Sequence, residues 1–195
     1  MQIGIFQHPA RDGKTLVLWE TTLNPQGTDI GMVSMEGNHT RKSLLQEKYH
    51  ESYPRVSSDG RWMAYESDES GKTEVYVCTF PDVNKDKWQV STNGGNSPLW
   101  SPDGRELFYL SGDATMAVRV ETEPDFKPGK PTVLFRRPYG STAGIKAAWD
   151  ISPDGKRFLM MKEEASAGKP VAEDPRKINI VVNWFEELKQ RVPVK

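Results

Sequence analysis

Short runs of apolar residues, alternating with polar ones or standing nearly unbroken, recur along the whole chain and are interrupted by clusters of Gly, Asp, Ser and Pro. Trp62-Met63-Ala64-Tyr65, Glu74-Val75-Tyr76-Val77-Cys78-Thr79-Phe80 and Glu106-Leu107-Phe108-Tyr109-Leu110 are the clearest. Their length, their β-branched and aromatic content and the turn residues on both sides predict strands, not helices.

The breaks are themselves patterned. Arg11-Asp12-Gly13-Lys14, Ser58-Asp59-Gly60-Arg61, Pro102-Asp103-Gly104-Arg105 and Pro153-Asp154-Gly155-Lys156 place Asp-Gly before a basic residue four times, at spacings of 47, 44 and 51 residues. A period of that size is expected of one four-stranded propeller blade. In Ser101-Pro102-Asp103-Gly104 the proline has its φ already set for a turn and the glycine tolerates positive φ, so the tetrapeptide reverses the chain. The aspartate can accept hydrogen bonds from nearby backbone N–H groups. Asp12, Asp59, Asp103 and Asp154, with Gly13, Gly60, Gly104 and Gly155, are therefore read as turn residues. An aspartate repeated in every blade punctuates the fold, whereas an active site needs asymmetry.

Aligned on these turns, the chain divides into blades at approximately 1–49, 50–93, 94–139 and 140–195. Predicted strands fall at Ile3–His8, Thr15–Glu20, Asp29–Met35 and Arg41–Glu47; at Tyr53–Ser57, Trp62–Ser67, Glu74–Phe80 and Trp88–Ser91; at Pro98–Ser101, Leu107–Leu110, Met116–Val120 and Thr132–Arg136; and at Ala147–Ile151, Arg157–Lys162 and Ile178–Trp184. The last blade is one strand short, and Phe185 to Arg191 reads as a short helical turn. The expected fold is an all-β propeller of four blades. Its closure is open: a small ring, a segment of a larger ring, or a half-ring completed by a second copy in a homodimer. Unpaired blade edges favour the fragment or the dimer over the closed monomer.

The sequence then narrows to a resemblance. Ser58 to Ser67, Trp100 to Tyr109 and Ile180 to Phe185 combine a Ser-Pro-Asp-Gly-type turn with an apolar strand, an acidic hairpin and a second apolar strand, and nearly the whole chain is similar to the repeat of TolB-like propellers. It also resembles the C-terminal propeller of some bacterial serine/threonine protein kinases. The resemblance implies a non-catalytic sensing or protein-binding module, extracytoplasmic if it derives from a membrane-anchored kinase. Related propellers cover the active site of prolyl-oligopeptidase-type hydrolases. The first repeat departs from the pattern with Ala10-Arg11 in place of Ser-Pro, and the second has Ser58 in place of Pro.

Composition adds exclusions. Lys plus Arg (26) nearly cancels Asp plus Glu (27), leaving a net charge of -1 and no global field for nucleic acid or anionic lipid. No apolar run suits membrane insertion, the first residues lack a signal-peptide pattern, and no compartment is assigned. The single cysteine, Cys78, sits in an apolar strand and reads as a small buried hydrophobe.

Catalytic chemistry is thinly represented. Gly140-Ser141-Thr142-Ala143-Gly144 puts Thr where a nucleophile elbow requires Ser, and Ser166-Ala167-Gly168-Lys169 matches S-x-x-K in a loop-like stretch. Ser141, Ser166 and the base His50 are the weak catalytic candidates, and the alternative function is a small serine hydrolase or esterase. Glu66, Asp68 and Glu69 lack calcium-loop spacing, so neither a metal nor another cofactor is expected. Trp100 and Trp149 stand three and five residues before Asp103 and Asp154, beside the expected channel, and are the candidate binding residues for a protein or peptide.

Overall fold

The computed structural model describes residues 8–9, 13–23, 26–136 and 149–160, and all regular structure within them is β. Three meanders and a hairpin follow one another. β1 (His8–Pro9), β2 (Thr15–Leu23), β3 (Gln26–Ser34) and β4 (Arg41–Leu45) form the first sheet, in chain order and antiparallel. The second contains β5 (Glu51–Val56), β6 (Trp62–Ser67), β7 (Glu74–Thr79) and β8 (Lys87–Gln89). In the third, β9 (Asn96–Trp100), β10 (Glu106–Ser111) and β11 (Ala114–Glu121) are followed by two short strands, β12 (Lys127–Pro128) and β13 (Thr132–Arg136), which pair with opposite ends of β11. The hairpin β14 (Trp149–Ile151) and β15 (Phe158–Met160) begins the fourth. The strand predicted at 178–184 and the terminal helical turn lie outside the described residues.

Alternation along each strand divides its side chains between two neighbouring sheets. From the second sheet, Trp62, Ala64, Val75 and Val77 pack against Trp100, Leu107, Tyr109 and Val118 of the third. The intervening Met63, Tyr65, Tyr76 and Cys78 pack on Val17, Ile30, Leu44 and Leu45 of the first. All six residues of β6 are buried as a result. The Cys78 thiol, completely enclosed, is pushed up to about 12 by burial, consistent with a packing role. A third core joins Leu99, Phe108 and Ala117 to Trp149 and its neighbours Phe158 and Met160.

Each complete Ser-x-Asp-Gly turn is organised by its serine as much as by its aspartate. Ser101 Oγ donates to Asp103 Oδ1 at 2.7 Å and accepts from the Glu106 N–H at 2.9 Å, while Asp103 Oδ1 takes the Arg105 N–H at 3.1 Å. Ser57 and Asp59 repeat this with Trp62 and Arg61, and Ser152 and Asp154 with Arg157 and Lys156. The serine hydroxyl and the Arg105 N–H hold the Asp103 carboxyl below its ordinary value. That contribution to stability is present above the unfolded value of 3.8 and lost as pH falls through the lower folded one. Ser101→Ala orphans the Glu106 N–H, and a stability loss of about 1–2 kcal/mol is expected in a urea titration, with Asp103 titrating nearer its ordinary value.

The turns also sit side by side. Gly104 has φ of 69°, and a Cβ there would meet Ser58 Oγ of the preceding turn at 3.2 Å; Gly155 faces Pro102 in the same way. Asp12 lies outside the described residues, but Gly13 has the same left-handed backbone, with φ of 63°.

The innermost strands start earlier than alternation predicts. β5 begins at Glu51 and β9 at Asn96, each crossing a bulge at a Tyr53-Pro54 or Ser97-Pro98 step whose first residue has φ of 53°. A bulge accommodates the proline, which cannot donate to a ladder, and the strand regains its register after it.

Candidate binding cleft between the first two blades

Trp100 and Trp149 stand at different positions of the repeat but act alike. Both are buried, and each donates its indole N–H to a carbonyl in the innermost strand of the preceding blade: Trp100 to Arg55 O at 2.9 Å, Trp149 to Ser97 O at 3.0 Å. Their rings lie in the cores shared by neighbouring sheets. His50 is exposed at the connection into β5, and Ser141 and Ser166 lie outside the described residues.

His50 borders a cleft of about 390 Å³. The wall from the first blade is Trp19 and Thr28; the second blade supplies Ser52 and Tyr53 from the bulged β5, Glu66 from β6, and Asp68 and Thr73 from the loop before β7. The left-handed backbone at Tyr53 brings its ring to 5.5 Å from Trp19, tilted by 37°. Asp68 Oδ1 accepts the His50 backbone N–H at 2.9 Å, tying connector and loop together.

The cleft exists because the repeat is broken here. Seven residues after the turn aspartate, the first three blades carry Trp19, Glu66 and Leu110. At the junction of the second and third blades, Glu66 Oε1 accepts the N–H of Ser97, the bulge residue of the next strand, at 2.5 Å. Trp19 holds the corresponding place before Tyr53. Its indole cannot act as a carboxylate acceptor, and an aromatic pair replaces the polar junction. The sequence signal was available in the aligned repeats, but periodicity draws attention to what recurs and this site lies in what does not.

Carboxylates dominate the surroundings. Glu20, Asp29, Glu51 and Glu66 are all buried; Arg41 Nε reaches Glu20 Oε1 at 2.5 Å. Burial raises the Asp29 carboxyl, and the nearby Glu20 adds to the rise. Glu51 is pushed up to about 7, first by burial and then by Asp29; a hydrogen bond from the Glu47 backbone opposes the rise, and the Glu47 and Asp68 carboxylates add to it. Glu51 Oε2 has no hydrogen-bond partner among the described residues. Burial and Glu66 likewise raise the Tyr53 hydroxyl. No described residue lining the cleft is Lys or Arg.

By contrast, a wider groove of about 880 Å³ on the third blade mixes Asp103, Glu121 and Glu123 with Arg105, Arg119 and Lys127. Glu106 lines it as well, so acids and bases are interspersed and neither sign has the wall to itself. Among the described residues no group of three or more His, Cys, Asp or Glu is placed to hold a metal ion, and no helix is long and apolar enough to cross a membrane.

No protein-family model and no curated protein matches the sequence. Solved structures do resemble the fold. TolB from Acinetobacter baumannii aligns with a TM-score of 0.61 at 17% identity, covering 85% of this chain and 39% of that one. A putative TolB from Agrobacterium tumefaciens aligns with a TM-score of 0.60 at 16% identity, covering 82% and 60%. An oligogalacturonate lyase solved in complex with manganese follows at 0.51 and 13%, covering 79% and 45%. The chain thus has a TolB-like β-propeller fold and spans 39% to 60% of the length of these propellers. At such identities the likeness is one of architecture, and the kinase association suggested by the repeat is not part of it.

Proposed function

We propose that the chain is a non-catalytic binding module that takes a segment of protein or peptide at the cleft between its first two blades. One observation supports this above the others: the repeat, which keeps its Asp-Gly pair in every turn, is broken at Trp19 and Tyr53, and the break leaves an aromatic-walled cleft lined by several polar groups. Aromatic side chains supply large contact area at low entropic cost, and a concave site with a few fixed polar groups is the usual form of a recognition pocket.

Peptides selected from a random display library against the chain test the reading. Thr73→Trp fills the cleft from its rim, and the selected peptides should bind this variant about tenfold or more weakly, while its melting temperature stays near that of the parent. Peptides that bind both proteins equally would overturn the assignment.

The hydrolase reading retains one supporting observation, that His50, Ser52 and Asp68 border the same cleft. Asp68 Oδ1, however, engages the His50 backbone and is thereby drawn away from the role of orienting its ring. Ester turnover that disappears in Ser52→Ala and in His50→Ala would replace the binding reading with this one.

A further inference from the structure

Resting on that binding reading, the geometry points to the chemical class of the ligand: we propose that the cleft receives the guanidinium of an arginine side chain presented by the bound peptide. Three features converge on this choice.

The first is charge. Glu66 and Asp68 are both in the cleft wall, and no described lining residue is Lys or Arg. Glu51 is close enough to the wall residue Asp68, and to Asp29, for their carboxylates to interact. Arg41 is committed to Glu20, at 2.5 Å. The described wall of the cleft therefore carries acid and no base. A cation entering the cleft would offset that charge.

The second feature is the aromatic pair. Trp19 and Tyr53 both line the cleft, with ring centroids 5.5 Å apart and planes tilted by 37°. A flat, weakly hydrated guanidinium stacks on aromatic faces, while a compact, strongly hydrated ammonium gains less from them.

The third is the supply of acceptors. The hydroxyls of Thr28, Ser52 and Thr73 stand beside the two carboxylates, and Thr28 Oγ1 is buried with no hydrogen-bond partner among the described residues. The five N–H donors of a guanidinium fan out in one plane and can engage carboxylate and hydroxyl oxygens together. Asp68 is already fixed by the His50 N–H, so its carboxylate needs little reordering on binding.

The test uses a capped pentapeptide with a central arginine and its lysine and citrulline counterparts, titrated into the full chain and followed by the NMR signal of the Trp19 indole. Citrulline keeps the planar shape but loses the charge. The arginine peptide should move the Trp19 signal and bind about tenfold more tightly than the citrulline peptide, with lysine between them. Asp68→Asn, which preserves an oxygen for the His50 N–H, should weaken arginine binding far more than citrulline binding and so remove most of that discrimination. Discrimination should also shrink as salt is raised.

Equal affinity for arginine and citrulline, or discrimination that survives Asp68→Asn, would overturn the assignment. If library-selected peptides prove neutral or acidic yet still lose affinity in Thr73→Trp, the cleft remains a peptide site and only its arginine preference falls. If Thr73→Trp has no effect on any peptide, the site itself is wrong.

Discussion

Alanine in place of Phe126 is expected to lower the stability of the chain by about 3–5 kcal/mol, the range for deleting a buried aromatic side chain. Phe126 is 1% exposed, in the loop between β11 and β12, with its ring centroid 5.4 Å from Trp62, 5.2 Å from Trp88 and 6.2 Å from Trp100. Two of these tryptophans belong to the second sheet and one to the third. Removing the ring leaves a cavity at the seam between blades, and because rigid strands border it on both sides, little collapse is available. Urea denaturation followed by tryptophan fluorescence reads the change directly. Phe126→Leu, which keeps much of the volume, should lose about 1–2 kcal/mol. Equal losses for both variants would mean that the aromatic contacts, and not the volume filled, carry the contribution of Phe126.

Glu51→Gln should act in the opposite direction, and only above mildly acidic pH. The ordinary value of 4.5 applies to the unfolded chain, and burial lifts the folded value to about 7. Below 4.5 the carboxyl is protonated in both states. Between about 4.5 and 7 the folded protein keeps a proton that the unfolded chain has released, so stability falls as pH rises and the loss is complete above the folded value. A shift of that size corresponds to roughly 3 kcal/mol, and the neutral glutamine avoids it. Its amide can also donate toward the carboxylates around Glu51. Thermal melting at pH 8 should therefore favour the variant, with the two proteins converging near pH 5. A variant no more stable than the parent at pH 8 would show that the folded protein accommodates the Glu51 charge without penalty.

How far the sequence reveals this fold depends on whether a residue's role repeats. The Asp-Gly turns and the strands around Met63, Val77 and Phe108 are legible because alternation and turn chemistry are local properties. Ser57, Ser101 and Ser152 were visible too, but their hydroxyls bridge to an N–H five residues onward, a contact that exists only once the hairpin closes. Phe126 gives no such signal. It stands between Pro124 and Pro128 in a stretch without alternation, and its burial is decided by tryptophans elsewhere in the chain. The split of the last ladder into β12 and β13 is hidden for the same reason. Trp100 and Trp149 stand out in the sequence as aromatics shortly before a turn, whereas their burial between sheets and their indole N–H bonds to the preceding blade depend on how two sheets meet. The cleft draws on residues from 19 to 73, and only folding brings them to one wall.

The two-faced second sheet bears on how such a chain can evolve. One of its faces is written in Trp62, Ala64, Val75 and Val77, the other in Met63, Tyr65, Tyr76 and Cys78. A tandem duplication of this segment would set the first of these faces against a copy of the second, two surfaces with no history of contact. Every newborn copy must therefore diverge at its apolar positions before it fits, while its turn can stay as it was. Lineages growing in this way retain their punctuation and lose their text, so kinship among the blades survives in the Ser-x-Asp-Gly corners after it has faded from the strands.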